Sequence, residues 1–119
     1  MSVSDGGDAD IDTVAGLLAD GDTRSILEAV AEEPSAAAEL AELVDVSRKT
    51  VYRRLDRLHG AGLVSKHTRP RADGHHETVY TATFEGVHVE LTDEGLICRV
   101  ETGADPADEL TKLWGEFGT

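Results

Sequence analysis

A group of cationic and hydroxyl side chains at helical spacing is the part of this sequence best suited to chemistry. Residues 48–57 read RKTVYRRLDR. Four side chains fall at positions i, i+3, i+4 and i+7 and so share one side of a helix: Lys49, Tyr52, Arg53 and Asp56. A cylinder of this kind offers guanidinium, ammonium and phenol groups to the base edges of a DNA major groove. The residues of this segment predicted to bind DNA are Arg48, Lys49, Thr50, Tyr52, Arg53, Arg54 and Arg57.

Charge is distributed very unevenly along the chain. The 119 residues include 24 acids and 11 Lys or Arg, and the formal net charge is −13. Eight of the cations lie between Arg48 and Arg71 with Asp56 as the single acid, so this segment carries +7 and the rest of the chain −20. Because cations are scarce elsewhere, the segment predicts a nucleic-acid interface on a body that repels the polyanion, rather than a merely solvated face. Its later cations complete the predicted DNA-binding set: Lys66, Arg69 and Arg71.

Two helices joined by a three-residue turn are predicted to hold these side chains. Ser35 follows a proline and is the predicted N-cap of the first helix. Residues 45–47 form the turn, and Ser47 caps a second helix that begins at Arg48. The apolar positions expected to face inward are Ala36, Leu40, Leu43 and Val44 on the first helix, and Val51, Leu55 and Leu58 on the second.

Two β-hairpins are predicted after the second helix. The first pairs residues 63–67 with 78–83 around a long tip, TRPRADGHHE. Arg69 and Arg71 flank a proline at this tip, where they are predicted to enter a narrow minor groove, as a wing does. Residues 84–91 and 96–101 alternate in hydropathy and predict a second hairpin that turns at 92–95.

The two ends of the chain predict different structures. Residues 1–9 are too polar to pack and predict a disordered lead. Residues 11–18 predict a first helix, and Asp105 and Pro106 open a final one. We expect their apolar stripes to contact a second copy in a homodimer, since so short a chain has a limited core. The predicted dimerisation residues are Ile11, Val14, Leu18, Leu110, Leu113, Trp114 and Phe117.

Metal, redox and catalytic chemistry have weaker signals. His75, His76 and His88 match no zinc-ligand spacing, so we expect neither a metal nor another cofactor. Cys98 lies in an alternating strand and is predicted to be buried, with a redox-sensing thiol as the alternative. The sequence has no phosphate loop, nucleophile elbow or HExxH motif, and we expect no enzyme activity. It has neither a signal segment nor an apolar run of membrane-spanning length, so we expect a cytoplasmic protein without a membrane partner.

Residues 17–82 resemble a known family. The runs DTRSILEAV, AELAELVDVSRKTVYRRLDRLHGAGLV and TVYTAT are similar to the winged helix-turn-helix domain of prokaryotic transcription regulators of the ArsR-like or PadR-like type. This resemblance implies a double-stranded DNA-binding domain over residues 10–83, with residues 84–119 adding strands and a terminal dimerisation helix. Metal-sensing members carry paired cysteines near the second helix, but residues 40–47 contain none, so metal sensing is not implied.

The acidic remainder resembles proteins of salt-loving archaea, whose cytoplasm is concentrated in potassium chloride. Only three of the cations are lysines, which fits that composition. The resemblance extends to haloarchaeal regulators of stress-response genes, oxidative stress among them. Potassium and other salt ions are therefore expected at the surface, with Asp45, Asp56 and Asp73 as the acids beside the basic segment.

The sequence thus predicts an α+β protein, a winged helix-turn-helix with an additional C-terminal β-hairpin and a terminal dimerisation helix. The predicted function is sequence-specific regulation of transcription by a homodimer, with the second helix in the major groove and the wing on the adjacent groove or backbone. The alternatives are an acidic protein-interaction module that uses this fold as a scaffold, and a metal- or redox-sensing repressor.

Overall fold

The protein is an α+β structure of four helices and five strands within residues 6–103, the part of the chain that the computed structural model describes. The elements in chain order are β1 Gly6–Ala9, α1 Ile11–Ala19, α2 Gly21–Glu32, α3 Ala37–Val44, α4 Arg48–Gly60, β2 Val64–Pro70, β3 His76–Ala82, β4 Phe84–Thr92 and β5 Gly95–Thr102. The α+β class is as predicted. Residues 1–5 and 104–119 lie outside the described residues, and with them Leu110, Leu113, Trp114 and Phe117.

The core forms where the apolar stripes of the four helices meet the inner faces of the strands. Val51, Leu55 and Leu58 are completely buried, which confirms the predicted inner side of α4. They pack in one cluster with inward residues of the other helices and with residues at the start of the first hairpin, among them Val14, Ile26, Leu40, Leu63 and Val64. Burial of each such side chain contributes about 1.5–3 kcal/mol to the stability of the folded state. The buried side of α4 therefore anchors the helix, and its other side faces solvent.

The helix pair α3–α4 has the predicted three-residue link. Asp45 adopts a left-handed conformation with φ of 56°, which aspartate tolerates better than most residues, and so ends α3. The Ser47 side chain then accepts a hydrogen bond from the Thr50 amide at 3.1 Å, which confirms Ser47 as the N-cap of α4. The link therefore fixes the direction in which α4 leaves α3.

The start of α3 differs from the sequence prediction. Ala36, not Ser35, is the N-cap residue, and the Glu39 carboxylate accepts the Ala36 amide hydrogen bond at 2.8 Å. Ser35 instead pairs with Tyr80 of β3 through two backbone hydrogen bonds. Leu43, predicted to pack, is 67% exposed. An eight-residue helix buries only a narrow stripe, here Ala37 and Leu40, and Leu43 falls off it.

The first hairpin, β2–β3, is longer than predicted and its tip is shorter. Seven residue pairs run from Val64 opposite Ala82 to Pro70 opposite His76, which leaves only residues 71–75 as the connection. Pro70 is tolerated because it ends the strand, where its missing amide hydrogen costs little. The Ser35–Tyr80 bridge adds one residue pair to the hairpin and ties it to the helices.

The second hairpin pairs β4 with β5 as predicted and gains a third strand. β1 runs antiparallel to β5, with Gly7 opposite Val100 and Ala9 opposite Cys98. The prediction of a disordered lead over residues 1–9 is therefore wrong for residues 6–9. Polar and glycine-rich composition argues against side-chain packing, but the ladder hydrogen bonds of an edge strand come from the backbone.

Val14 of the predicted dimer stripe of α1 packs inside the chain, which corrects its assignment as a dimerisation residue. It is 1% exposed and belongs to the core, whereas Ile11 and Leu18 are half-buried against it. A fully buried side chain cannot also cover a second copy, but the half-buried Ile11 and Leu18 stay predicted contacts. None of the helices within residues 6–103 combines the length and the apolar character that crossing a membrane requires.

Candidate nucleic-acid interface

The exposed side of α4 carries the cations that the sequence places there. Arg48, Lys49, Arg53 and Arg57 are exposed, and helical periodicity puts Lys49 and Arg53 opposite the buried stripe of the same helix, with Arg48 and Arg57 on its flanks. Thr50 is half-buried beside the Ser47 cap, to which it is hydrogen-bonded. The structure thus brings together most of the predicted site on one solvent-facing side of a 13-residue helix.

Five cations of this surface have no acidic partner in the part of the chain that the structure describes. Within residues 6–103, no carboxylate lies within ion-pair distance of Arg48, Lys49, Arg53, Arg57 or, on β2, the exposed Lys66. Asp56, exposed on the same helix, forms no ion pair with Arg53 or Lys49 in that part of the chain. These five cations, termed the free cations below, therefore keep their full charge for a polyanion.

Arg54 is paired with an acid of the fold, which argues against its assignment as a DNA-binding residue. Its Nη1 lies 2.7 Å from Asp20 Oδ2, and its side chain is only 28% exposed. Asp20 is the N-cap of α2 and accepts hydrogen bonds from the amide and the hydroxyl of Thr23. The Thr23 hydrogen bonds, with a smaller contribution from the Arg54 charge, lower the pKa of the Asp20 carboxyl. Arg54 therefore clamps α4 to the start of α2.

Replacing Arg54 with Ala should destabilise the protein and leave the five free cations unchanged. The melting temperature should fall by several degrees, because the change removes a charge-assisted hydrogen bond and leaves the buried Thr23 with one fewer neighbour. Because the pKa of Asp20 is lowered in the folded state, this contribution should be present at neutral pH and lost as pH falls through that pKa. Thermal melts of wild type and variant should therefore converge in acid; a constant difference would contradict the clamp.

Arg69 is also occupied by acids, which corrects its assignment to a DNA-binding tip. It lies on β2, and its guanidinium donates to Glu77 on β3, with Nε at 2.8 Å from Oε1, and to Glu39 of α3 at 3.2 Å. Burial alone would lower the pKa of Arg69, but the Glu77 and Glu39 contacts outweigh it and raise the pKa. Glu39, which also accepts the hydrogen bond from the amide of the Ala36 N-cap, is thus shared between helix and hairpin.

Arg71 is the one cation in the connection of the first hairpin, and its charge is partly compensated. Its guanidinium nitrogens lie 3.7 Å from Asp73 and 3.6 Å from Glu77, at the long end of ion-pair distances. A backbone hydrogen bond from His75, together with the smaller effect of Arg71, lowers the pKa of Asp73. With half of its side chain exposed, Arg71 can still reach an outside anion.

Tyr52 stands at the junction of α4 and the first hairpin. Half of its side chain is exposed, and it lies near Tyr80, whose own side chain is buried in the core. Burial raises the pKa of Tyr80, and the nearby Tyr52 and Asp56 raise it further. With half of its side chain exposed, Tyr52 can contact DNA, as predicted, while the rest of the side chain packs.

The histidines and the cysteine do not converge on a metal site in the described residues. His75 lies 3.4 Å from Asp73 and His88 lies 3.5 Å from Glu101, and no group of three metal-ligating side chains forms between residues 6 and 103. Cys98 is 2% exposed on β5, as predicted. A thiol in this position is a small core residue, and oxidants reach it only if the strand opens.

Sequence reasoning missed the acids that occupy two of the predicted cations. Asp20, Glu39 and Glu77 come from three different parts of the chain, and Asp20 and Glu39 are distant along it from their partners. The only local signal is cross-strand pairing, because Arg69 stands directly opposite Glu77 in the hairpin register. The other contacts require the tertiary packing of α2, α3 and α4.

Comparison with known proteins gives a family but no function. A search of curated proteins finds no match to this chain. A family model described as the HVO_A0261 N-terminal domain matches residues 11–105, a span that begins with α1 and extends just beyond β5. With that match covering most of the chain, the protein belongs to the HVO_A0261 N-terminal domain family.

Proposed function

We propose that this protein is a sequence-specific, double-stranded DNA-binding transcription regulator with a winged helix-turn-helix fold. The observation that carries the proposal is the separation of roles on α4, whose inner side is completely buried while four of the free cations, Arg48, Lys49, Arg53 and Arg57, are exposed on its other sides. A merely solvated helix in so acidic a chain would be expected to pair its cations with nearby carboxylates. Among residues 6–103, however, acids pair with Arg54, Arg69 and Arg71 and with none of these four.

In this proposal α4 enters the major groove with its N-terminal half. Lys49 and Arg53 face the base edges, and Arg48 and Arg57 reach the phosphates on either side. The first hairpin is the wing, with Lys66 on its strand and Arg71 at its tip against the adjacent groove or backbone. Arg69 holds the wing to α3 through Glu39 and therefore orients it without touching DNA.

The proposed regulator acts as a homodimer, because a helix of this length reads only a few base pairs. Two-fold symmetry then requires an inverted repeat whose half-sites lie about 10 bp apart, centre to centre, or a multiple of it. The main predicted contact is the apolar stripe in residues 104–119, since Val14 of the α1 stripe is buried in the core. We further propose that it works in a cytoplasm concentrated in potassium chloride and responds to stress.

The proposal is tested by selecting bound sequences from a random duplex pool and measuring affinity for the enriched duplex against a scrambled one. We expect an enriched inverted repeat and a preference for it over the scrambled duplex. A pull-down for protein partners tests the alternative, an acidic interaction module. Enrichment of no motif together with no duplex binding at any salt concentration would overturn the proposed function.

Substitution of Lys66 should lower the affinity for DNA, whereas substitution of Arg69 should lower the stability of the fold. Lys66→Ala should weaken binding to enriched and scrambled duplex alike and reduce the salt slope by about one contact, because a wing cation meets phosphates. Arg69→Ala should lower thermal stability, because Glu39 and Glu77 lose their shared partner. Anisotropy titrations and thermal melts of both variants separate the two effects. If Arg69→Ala keeps its thermal stability but loses much of its affinity for DNA, Arg69 contacts DNA, contrary to this prediction.

A further inference from the structure

The second hairpin carries an apolar face of which only one half is covered. Residues opposite each other in its register share a face, so Val87, Val89 and Leu91 of β4 lie beside Val100, Cys98 and Leu96 of β5. At the half near the chain exit, Cys98 and Val100 are buried in the core and Val87 is half-buried against it. At the half near the turn, Val89, Leu91 and Leu96 are 54%, 82% and 58% exposed. These three residues are called the hairpin patch below.

The exposure of the hairpin patch is unusual for this chain. The described residues include only two other exposed large hydrophobic side chains, Leu43 and Tyr52, and these lie on different helices. The opposite face of the hairpin carries His88, Glu90, Arg99 and Glu101, with Arg99 and Glu90 3.8 Å apart. The hairpin thus has a mainly polar side and an apolar side. Because the apolar side continues the core and yet is exposed near the turn, we interpret its exposed half as a contact surface for another segment.

We propose that the hairpin patch is covered by residues 104–119 of a second copy of this chain. That segment follows β5 directly and carries Leu110, Leu113, Trp114 and Phe117 at positions i, i+3, i+4 and i+7. Each chain thus offers one apolar stripe and one apolar patch. A two-fold exchange covers both stripes and both patches with the same contact repeated twice. The inference rests on the proposed homodimer and names its docking surface.

A segment of the same chain reaches the patch less easily than a segment of the partner. β5 ends at Thr102, six residues from Leu96, which corresponds to about 20 Å along the strand. The intervening face, at Cys98 and Val100, is already filled by the core, and β1 occupies the neighbouring edge. A segment leaving at Thr102 would have to pass over this filled half. A partner approaching from the turn meets no such obstacle.

Trp114 makes the proposal directly measurable, because it is the single tryptophan of the chain. The full-length protein is diluted while its mass is followed by light scattering and its tryptophan emission by fluorescence. If the stripe docks on a second copy, emission should shift to longer wavelength at the same concentration at which the mass halves. Leu91→Glu should raise the dimer dissociation constant at least about tenfold and shift the emission in the same direction.

Leu43→Glu is the matched control, because it makes the same change at an exposed leucine on α3, away from the hairpin. Its dimerisation and emission should equal those of the wild type. Leu96→Glu repeats the test on the opposite strand, and a thermal melt confirms that each variant folds. Equal dimerisation by Leu91→Glu, Leu96→Glu and wild type would overturn the proposal. So would a concentration-independent emission shift in a monomeric protein, which would indicate coverage by the same chain.

Binding to a random-sequence duplex is measured in parallel, because it depends on the free cations of α4 and not on the hairpin patch. If the wild type is monomeric and still binds the duplex, the hairpin patch is not a dimer contact, and the proposed DNA interface is retained. If the wild type forms a concentration-dependent dimer and binds no duplex, the proposed DNA interface is wrong, and the hairpin patch is retained as the dimer contact.

Discussion

Arg53→Ala should abolish most of the discrimination between the enriched duplex and a scrambled one, a loss of about 1–3 kcal/mol, while non-specific binding changes little. Arg53 is exposed in the middle of α4 without an internal ion-pair partner among residues 6–103, so its guanidinium is free to make two parallel hydrogen bonds to a guanine. Titrations of both duplexes at one salt concentration give the ratio of dissociation constants, which is the quantity that should collapse.

Arg54→Ala is the matched control, because it removes the same side chain one position along the same helix. Arg54 is bound to Asp20, so its loss should lower the melting temperature and leave the ratio of dissociation constants unchanged below the melting transition. If Arg53→Ala keeps the wild-type ratio, or if Arg54→Ala loses it in a folded protein, α4 meets DNA by a different side from the one proposed.

Affinity for DNA should stay flat or rise with potassium chloride in the molar range. Each phosphate contact made by Lys or Arg normally releases counterions, with a slope of about −0.9 in log affinity against log salt. The three free cations that the proposal places on phosphates, Arg48, Arg57 and Lys66, would together give a slope of about −2.7, so affinity would fall roughly 500-fold for each tenfold rise in salt. At roughly 1 M the Debye length is only about 3 Å, so only close contacts persist. A regulator adapted to high salt must therefore take up cations or rely on contacts that salt weakens little.

Cation uptake would use acids beside the free cations. Asp45 and Asp56 are exposed and, within the described part of the chain, unpaired, so both can hold potassium between protein and phosphate. Asp73, the third predicted acid, is already bound by His75 and Arg71. We therefore expect potassium at Asp45 and Asp56 only. Asp56→Asn should raise affinity at low salt, by removing a repulsion, and steepen its decline at high salt.

Calorimetric titration of the enriched duplex across that salt range measures both effects, with Asp93→Asn, at an exposed aspartate in the turn of the second hairpin, as the control. A steep decline of wild-type affinity to non-binding in molar potassium chloride would refute the adaptation to salt. It would leave the α4 interface intact, since that interface does not depend on the salt range in which it works.

Helix positions were predictable because their determinants are local. The Ser47 cap, the three-residue link and the Val51, Leu55, Leu58 stripe each involve residues within one or two helical turns, and all three are confirmed. Alternation likewise located the second hairpin and the burial of Cys98. The identity of the cations that could meet DNA followed from the same periodicity, which assigns a side of the helix but not its neighbours.

Only the tertiary structure decided which cations are free. Arg53 and Arg54 are indistinguishable by residue type, and one step of 100° around α4 turns Arg54 toward the α2 cap. Arg69 is taken by Glu39, thirty positions away in the chain, and β1 forms because β5 offers it a backbone edge. The burial of Val14 in α1 likewise depends on its packing against residues of the other helices. Periodicity fixes the side on which a residue lies, whereas contacts between distant segments depend on how the elements pack.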